Sequence, residues 1–407
     1  SDGTTRTGNA KKWGTFPAAS ARWNITDEKW FDAIRESGLL TMAGFTMSWG
    51  FTGNAPGGDD MFRSRYSSGD SYMGISTIYP ANIRLSDFQW EESTQWNFGL
   101  QLGLFNDKLN ASINFYHTTN DKLINSNYPI PSSSGFTSLG AVNDGKMMNE
   151  GWDMSISANR IYSTKLAGKD FSVGGSINFG DNTNQVLEMN EIILKSWQKD
   201  FDYDNAHRSY LSYVALKNSY GSIYGFKYKG VYQYSDYSEV EVPGVSGPNA
   251  PVVKDADGNV ILNSKGKTKP MMFGYGTLTT PYEFVGGDVA YEDINNDGNI
   301  NELDIVYLGS SLPKINGGCS LRMSWGRLSW SNSFNFRGGN KIVNMSRLGA
   351  ESTREIRNVM AAINWRWRVE GDVTEVPRTI YQWGYNDLGS DRFVEDGSFI
   401  RWGSSTL

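Results

Sequence analysis

The chain has 407 residues, with 45 Gly, 21 Tyr, 20 Phe and 14 Trp, so aromatics reach 14% while the whole hydrophobic set is only 39%. Its 38 Lys and Arg against 44 Asp and Glu give a net charge of −6 with the signs interspersed, which is no nucleic-acid footprint. A single cysteine, Cys319, and two histidines, His117 and His207, exclude an internal disulfide, a cysteine zinc site and a His-rich metal catalyst.

Glycine at about 11%, against an average near 7%, suits strands and turns better than helices. No stretch approaches the ~18 apolar residues that a membrane-crossing helix needs. A mean hydropathy of −0.47 still suits a transmembrane barrel, because only alternate residues of its strands face lipid. The chain opens Ser1-Asp2-Gly3, with no Met and no apolar signal segment, and reads as a mature or trimmed piece.

In chain order, period-2 alternation begins with Ala19, Ala21, Trp23 and Ile25. A short helical connection follows over 26–37, then Phe45, Met47, Trp49 and Phe51 alternate. Residues 94–105 place Trp96, Phe98, Leu100, Leu102 and Leu104 on one face, with Asn97, Gly99, Gln101 and Gly103 on the other. After Asn106-Asp107-Lys108 the pattern restarts with Leu109, Ala111, Ile113 and Phe115 against Asn110, Ser112, Asn114 and Tyr116, which predicts a hairpin. A one-residue slip would move every Asn and Ser into the apolar face, so the register is expected to be firm.

Further strands are expected at Trp152, Met154, Ile156, Ala158 and at Phe171, Val173, Gly175, Ile177, Phe179. Cys319, Leu321, Met323 and Trp325 lead through Gly326-Arg327 into Leu328, Trp330, Asn332, Phe334 and Phe336. Cys319 falls on an alternating run and reads as a small buried or lipid-facing residue. Short connections near 26–38, 106–108, 162–169 and 326–327 alternate with long ones near 51–93, 120–149, 180–316 and 338–398. All long loops then lie at one end, as in a bacterial outer-membrane barrel. Trp96 and Trp152 would sit near the extracellular ends of their strands, and Phe105 and Trp325 near the periplasmic ends, as aromatic girdles. The competing reading is a large soluble or surface-attached glycan-binding β-protein with one wet face and no transport activity. Solubility without detergent separates the two.

Several stretches carry a resemblance: Trp13-Gly14-Thr15-Phe16-Pro17 before Arg22-Trp23-Asn24-Ile25, Ser48-Trp49-Gly50-Phe51-Thr52-Gly53-Asn54, and Gly145-Lys146-Met147-Met148-Asn149-Glu150-Gly151-Trp152. Others are Ser222-Ile223-Tyr224-Gly225-Phe226 with Gly230-Val231-Tyr232-Gln233, Tyr291-Glu292-Asp293-Ile294-Asn295-Asn296-Asp297-Gly298, and Arg392-Phe393-Val394-Glu395-Asp396-Gly397-Ser398-Phe399-Ile400-Arg401. Their order and spacing over nearly the whole chain resemble the C-terminal half of the SusC/RagA family, the TonB-dependent outer-membrane transporters of Bacteroidetes. The resemblance implies an outer-membrane location, contact with outer-membrane lipid, and energy delivered by the TonB complex through an N-terminal part. It also implies a SusD-like surface lipoprotein as a lid, and an oligosaccharide or peptide as cargo.

The family's plug and TonB-box region is absent, and residues 402–407 do not continue the expected strand. The expectation is therefore one segment, 1–407, of an all-β, antiparallel, up-and-down transmembrane β-barrel. About nine strands stand against about 22 in a plugged transporter, so the barrel is incomplete.

Asp293, Asn295, Asp297, Gly298, Asn299, Asn301 and Asp304 occupy positions 1, 3, 5, 6, 7, 9 and 12 of a calcium-loop spacing. Closely spaced Asp and Asn supply the oxygens that Ca²⁺ wants, and Gly298 provides the turn. Asp293, Asn295, Asp297, Asn299, Asn301 and Asp304 are the candidate ligands, bracing the long loop 180–316. The plainer reading is an Asn/Asp-Gly turn between two loop strands. Asp255-Ala256-Asp257-Gly258-Asn259 lacks a following carboxylate and reads as a hairpin turn.

Loop aromatics include Tyr66, Tyr72, Tyr79, Tyr210 and Tyr213, with Trp197, Tyr203, Trp365, Trp367 and Trp383 as candidate substrate-stacking residues. For any single one of them, packing the loop is the favoured reading. Inward polar residues such as Asn97, Gln101, Asn110, Ser112 and Asn114 would line a solute path or touch a plug. No H-E-x-x-H, G-x-S-x-G or P-loop occurs. The acidic neighbours Glu91-Glu92 and Asp59-Asp60 would point to opposite faces of a strand, so no enzyme is expected.

Overall fold

The computed structural model describes residues 1–8, 11–59, 61–197, 201–211, 215–233, 257–259 and 271–407. Tyr213, Asp255 and Ala256 lie outside them, as does the side chain of Trp197.

Nine long strands form one antiparallel sheet: β1 (Ala18–Asn24), β2 (Leu40–Asn54), β3 (Glu91–Leu104), β4 (Leu109–Asp121), β5 (Lys146–Leu166), β6 (Lys169–Glu188), β7 (Ile315–Trp325), β8 (Leu328–Gly338) and β9 (Phe399–Thr406). Each pairs with its neighbour in sequence, and β1 and β9 remain at the two edges, so the sheet is open. The expected hairpin forms with Phe98 opposite Phe115 and Gly103 opposite Asn110. Phe98, Leu100, Leu102, Ile113 and Phe115 therefore share one face, and Asn110, Ser112 and Asn114 the other.

That parity holds across the sheet. Phe45, Leu100, Ile113, Met154, Phe179 and Gly317 form one cross-strand row. The next row on the same face joins Met47, Phe98, Phe115, Trp152 and Asp181. On the opposite face Ser20, Ser48, Asn97, Tyr116, Gly151 and Asn182 form a row. Trp49 pairs with Trp96 near the long-loop end, while Trp325 pairs with Leu328 beside a short turn. A surface that is apolar in the middle and aromatic at both rims matches a lipid band.

Sharp turns close the short end. Phe105, Asn106 and Asp107 all have positive φ (55°, 56° and 59°). The connection expected over 162–169 is tighter than its sequence suggested. β5 and β6 continue to Ala167-Gly168, whose φ values of 49° and 77° match the left-handed backbone of a two-residue hairpin turn. The stretch 26–37 becomes two 3₁₀ turns and the helix Asp32–Glu36, with Phe31 buried. Of residues 402–407, expected not to continue the strand, 402–406 stay in β9. A register shift between Ser333 and Phe334 accommodates them, pairing Trp402 with Phe334 and Ser404 with Ser333.

Candidate functional site

Two regions can meet a solute: the polar face of the sheet, and the long loops beyond its end. On the polar face, side chains bridge strands. Asn114 Nδ2 donates to Asp153 Oδ1 at 2.9 Å, Asn182 Nδ2 to the Tyr116 hydroxyl at 2.9 Å, and Asn97 Nδ2 to Ser48 Oγ at 3.3 Å. Ser176 with Ser320, and Ser333 with Ser404, approach to 2.8 Å. Arg22 reaches past Gly44 to Gln101 Oε1 at 3.3 Å, where a Cβ on Gly44 would stand 3.5 Å from the guanidinium. The glycines thus give room for long polar side chains to lie along the wall.

The loops after β6 and β8 fold together into one head. Ser222–Gly225 pairs with Val306–Ser310, and Tyr228–Val231 with Val289–Tyr291. Their core holds Phe226, Phe273, Phe284, Val289, Tyr291 and Ile300 from the first loop, with Leu388 from the second. Backbone bonds cross between them: Phe226 N–H donates to Gly389 O at 2.9 Å and Arg208 N–H to Asp387 O at 2.7 Å. Side-chain contacts do the same, with Arg378 Nε 2.7 Å from the buried Asp288 carboxylate and His207 Nδ1 2.6 Å from Asp387 Oδ1. Burial alone would raise the Asp387 carboxyl. The bonds from His207 and Ser352, with Arg208 nearby, reverse this and hold it below the usual range.

The head is rooted on β6, where Lys217 N–H donates to Val186 O at 2.7 Å and Tyr220 N–H to Asn184 Oδ1 at 2.8 Å. A separate cavity of about 400 Å³ lies where β2 and β3 meet the N-terminal segment, lined by Trp13, Phe16, Phe51, Trp90 and Glu92.

The Asp293–Asp304 segment is a network of side-chain-to-amide bonds. Asp293 accepts from the Asp297 and Gly298 amides at 3.2 and 2.7 Å, and Asp297 from the Asn299 amide at 2.8 Å. Asp304 accepts from the Ile294 and Asn301 amides at 2.8 and 2.9 Å, while Asn301 caps Leu303 and Asn295 donates to Asp297. The Asn299 side chain is paired with the Tyr275 backbone.

Burial, reinforced by the charges of Asp293 and Asp297, pushes the fully buried Asp304 up to about 6 despite those amides. Among the described residues no three His, Cys, Asp or Glu side chains stand together as a metal-holding group. A cation here would draw on Asn and backbone oxygens as well as carboxylates.

The candidate aromatics separate into two kinds. Tyr203 packs on Phe201 and Phe273 and bonds Glu302, and burial with that carboxylate pushes its hydroxyl up to about 12. Trp367 is buried, its indole N–H donating to Gln233 Oε1 at 3.0 Å. Trp365 and Trp383 are exposed, at 78% and 64%. Trp197 ends the short helix Glu191–Trp197. Sequence reasoning missed the charged pairs inside the head, because partners about 90 to 180 positions apart leave no local pattern.

A family model described as TonB dependent receptor-like, beta-barrel, matches residues 1–245. TonB-dependent receptor P39 of Formosa agariphila is 30% identical over 413 residues, covering 98% of this chain and 36% of the relative. TonB-dependent receptor SusC of Bacteroides thetaiotaomicron is 30% identical over 198 residues, 46% of this chain and 18% of its own length. Among solved structures, the RagAB peptide importer in its open-open state aligns with a TM-score of 0.67 at 22% identity, covering 98% of this chain and 36% of that one. The chain thus spans about a third of the length of receptor P39 and of the aligned chain of the RagAB structure. With its two-faced open sheet and long loops at one end, it belongs to the TonB-dependent receptor-like β-barrel family of the bacterial outer membrane.

Proposed function

We propose that this chain forms the C-terminal-half wall and part of the extracellular head of a SusC-like importer, which takes up oligosaccharides or peptides with a SusD-like lipoprotein and draws energy from TonB. The observation that supports it most is the coincidence of a hydrogen-bonded polar face, an apolar opposite face, and a head of its own core on one end of the sheet. A polar wall lets a hydrated solute slide without a deep energy well, and the exposed Trp365 and Trp383 offer flat rings to a sugar or an apolar side chain. No catalytic step is part of this reading.

The test is uptake by cells carrying the whole transporter, using fluorescent oligosaccharides and peptides, with and without the head loop 339–398. Import that depends on the head supports the reading. A chain that stays monodisperse without detergent, and a deletion that changes no uptake, would favour the soluble glycan-binding alternative.

We further propose that the segment Asp293–Asp304 holds Ca²⁺ as a structural brace, with Asp293, Asn295, Asp297, Asn299, Asn301 and Asp304 supplying oxygens. The spacing supports it, since closely placed Asp and Asn oxygens on one short segment are the donors a hard cation takes. Elemental analysis of the native protein decides it.

A further inference from the structure

The polar face is not electrically even. Register places Arg322 of β7, Arg337 of β8 and Arg401 of β9 on it. The inward positions of these three strands are otherwise Asn, Ser, Gly, Phe and Thr, with no Asp or Glu. Within this chain, which spans about a third of the length of receptor P39, all three arginines are exposed, and among the described residues none has an ion pair or hydrogen bond, Arg401 only lying 5.5 Å over the Phe399 ring. Arg22, at the other edge, is by contrast bonded to Asn24 and Gln101. Asp153, the inward acid on β5, is already held by Asn114.

Arg401 stands directly across from Asn335, and Arg337 lies two positions further toward the long-loop end, opposite Asn316 and Phe399. Such diagonal neighbours are about 7–8 Å apart at the backbone, so two guanidinium groups can close on one carboxylate. Between them the wall is recessed. A Cβ on Gly318 would stand 3.2 Å from Asn335 Oδ1 and 3.6 Å from Asn178 Oδ1, and one on Gly403 3.3 Å from Asn335 Nδ2. The Asn335 amide therefore lies flat between two glycines, with Asn178 and Asn316 beside it. Arg322 lies six positions below Asn316 on β7, roughly 20 Å along the strand.

We infer that the inward face of β7, β8 and β9 is an anion-selective subsite, in which Arg337 and Arg401 grip a carboxylate-bearing unit of an oligomeric solute and Arg322 offers a second station further down. Guanidinium groups form forked, charge-assisted bonds to planar carboxylates, and the flanking asparagines donate to neighbouring hydroxyl or carbonyl oxygens. The inference rests on the importer reading and narrows its cargo to acidic oligomers. The carboxylate is supplied by an acidic sugar or by an acidic peptide, and the two sources are separated by the probes.

The test uses the full-length transporter in detergent and in cells. The probes are tetragalacturonate and its methyl ester, and a tetraglutamate peptide and its tetraglutamine counterpart. The wild type is expected to bind at least one acidic probe about tenfold tighter than its neutral counterpart at 50 mM salt, with the advantage shrinking as salt rises. In R337Q/R401Q that ratio should fall to near one, and R337K/R401K should retain part of it. The family of the preferred probe identifies the source. Neutral probes bound or imported as well as acidic ones by the wild type would overturn the inference and leave the importer reading standing. A double variant that only lowers thermal stability, with the ratio intact, would make the arginines structural and also overturn it. Import of no probe would count against the importer reading itself.

Discussion

Asp288 and Arg378 meet at 2.7 Å across 90 positions of sequence, and the carboxylate is fully buried. Asp288 also accepts from the Tyr282 hydroxyl at 2.6 Å and from Asn386 Nδ2 at 3.2 Å. The pair fastens the loop after β6 to the loop after β8, so the head is one body rather than two flexible excursions. Next to it, Tyr291 donates to Tyr385 O at 2.9 Å and accepts from the Leu388 amide at 3.2 Å, crossing the same seam.

Removing Arg378 leaves a buried carboxylate with neutral partners only. R378A should destabilise the head by about 3 kcal/mol, at the lower end of the range for a broken buried pair because the guanidinium is a third exposed. Limited proteolysis of the head in detergent reads this directly, and R378A should be cut well before any strand of the sheet is lost. Equal resistance of variant and wild type would show that the pair contributes little.

The Asp304 carboxyl gives the head a pH signature. Its folded value of about 6 exceeds the ordinary 3.8, so folding takes up a proton between those values. Its contribution to stability is full below pH 3.8, declines as pH rises to about 6, and stays lost above. On the proposed calcium site, Ca²⁺ would compete with that proton. Protection of the head by Ca²⁺ over EGTA should be large at pH 7.5 and small at pH 4.5. Equal cleavage in Ca²⁺ and EGTA at pH 7.5, with no metal found by elemental analysis, would reduce 293–304 to a turn.

The two faces of β3 should answer one substitution oppositely. L100R puts a charge into the middle of the apolar band and should cost about 2–4 kcal/mol of folding in a bilayer. Gln95→Arg (Q95R) places the same charge on the exposed polar face, between Gly50 and Thr118, and should cost less than about 1 kcal/mol. Denaturant titration of the membrane-inserted transporter measures both, and similar costs would contradict the assigned faces.

Trp383 and Tyr203 should also separate. W383A, removing an exposed ring, should leave the melting temperature within a degree or two and weaken solute binding several-fold. Y203A removes a ring packed on Phe201 and Phe273 and should lower head stability by about 3 kcal/mol or more. Calorimetry together with binding distinguishes them, and a W383A protein that melts early would make Trp383 a packing residue.

The sheet was legible in the sequence because its information is local. Phe98 against Asn97, and Phe115 against Asn114, state face and register within a few residues, and the hairpin follows. The head was not, since Leu388 enters a core made mostly by residues 206–300 and no periodicity links them. Burial of Tyr203 and Trp367 was invisible for the same reason: an aromatic residue in a loop reads identically whether it stacks on a solute or on Phe273. The short turn at Ala167-Gly168 was blurred because outward Tyr162 and Leu166 continue strands past a bulge after Ala158 that breaks the alternation.

The central claim is that one face of this sheet meets lipid and the other an aqueous interior. Spin labels on single cysteines at 97 through 102 of β3, in a Cys319→Ser background of the full-length transporter in liposomes, test it most directly. Labels at 98, 100 and 102 should collide strongly with apolar oxygen and weakly with a water-soluble nickel chelate, whereas those at 97, 99 and 101 should show the reverse or be shielded from oxygen. A flat profile, or an alternation of opposite phase, would contradict the account.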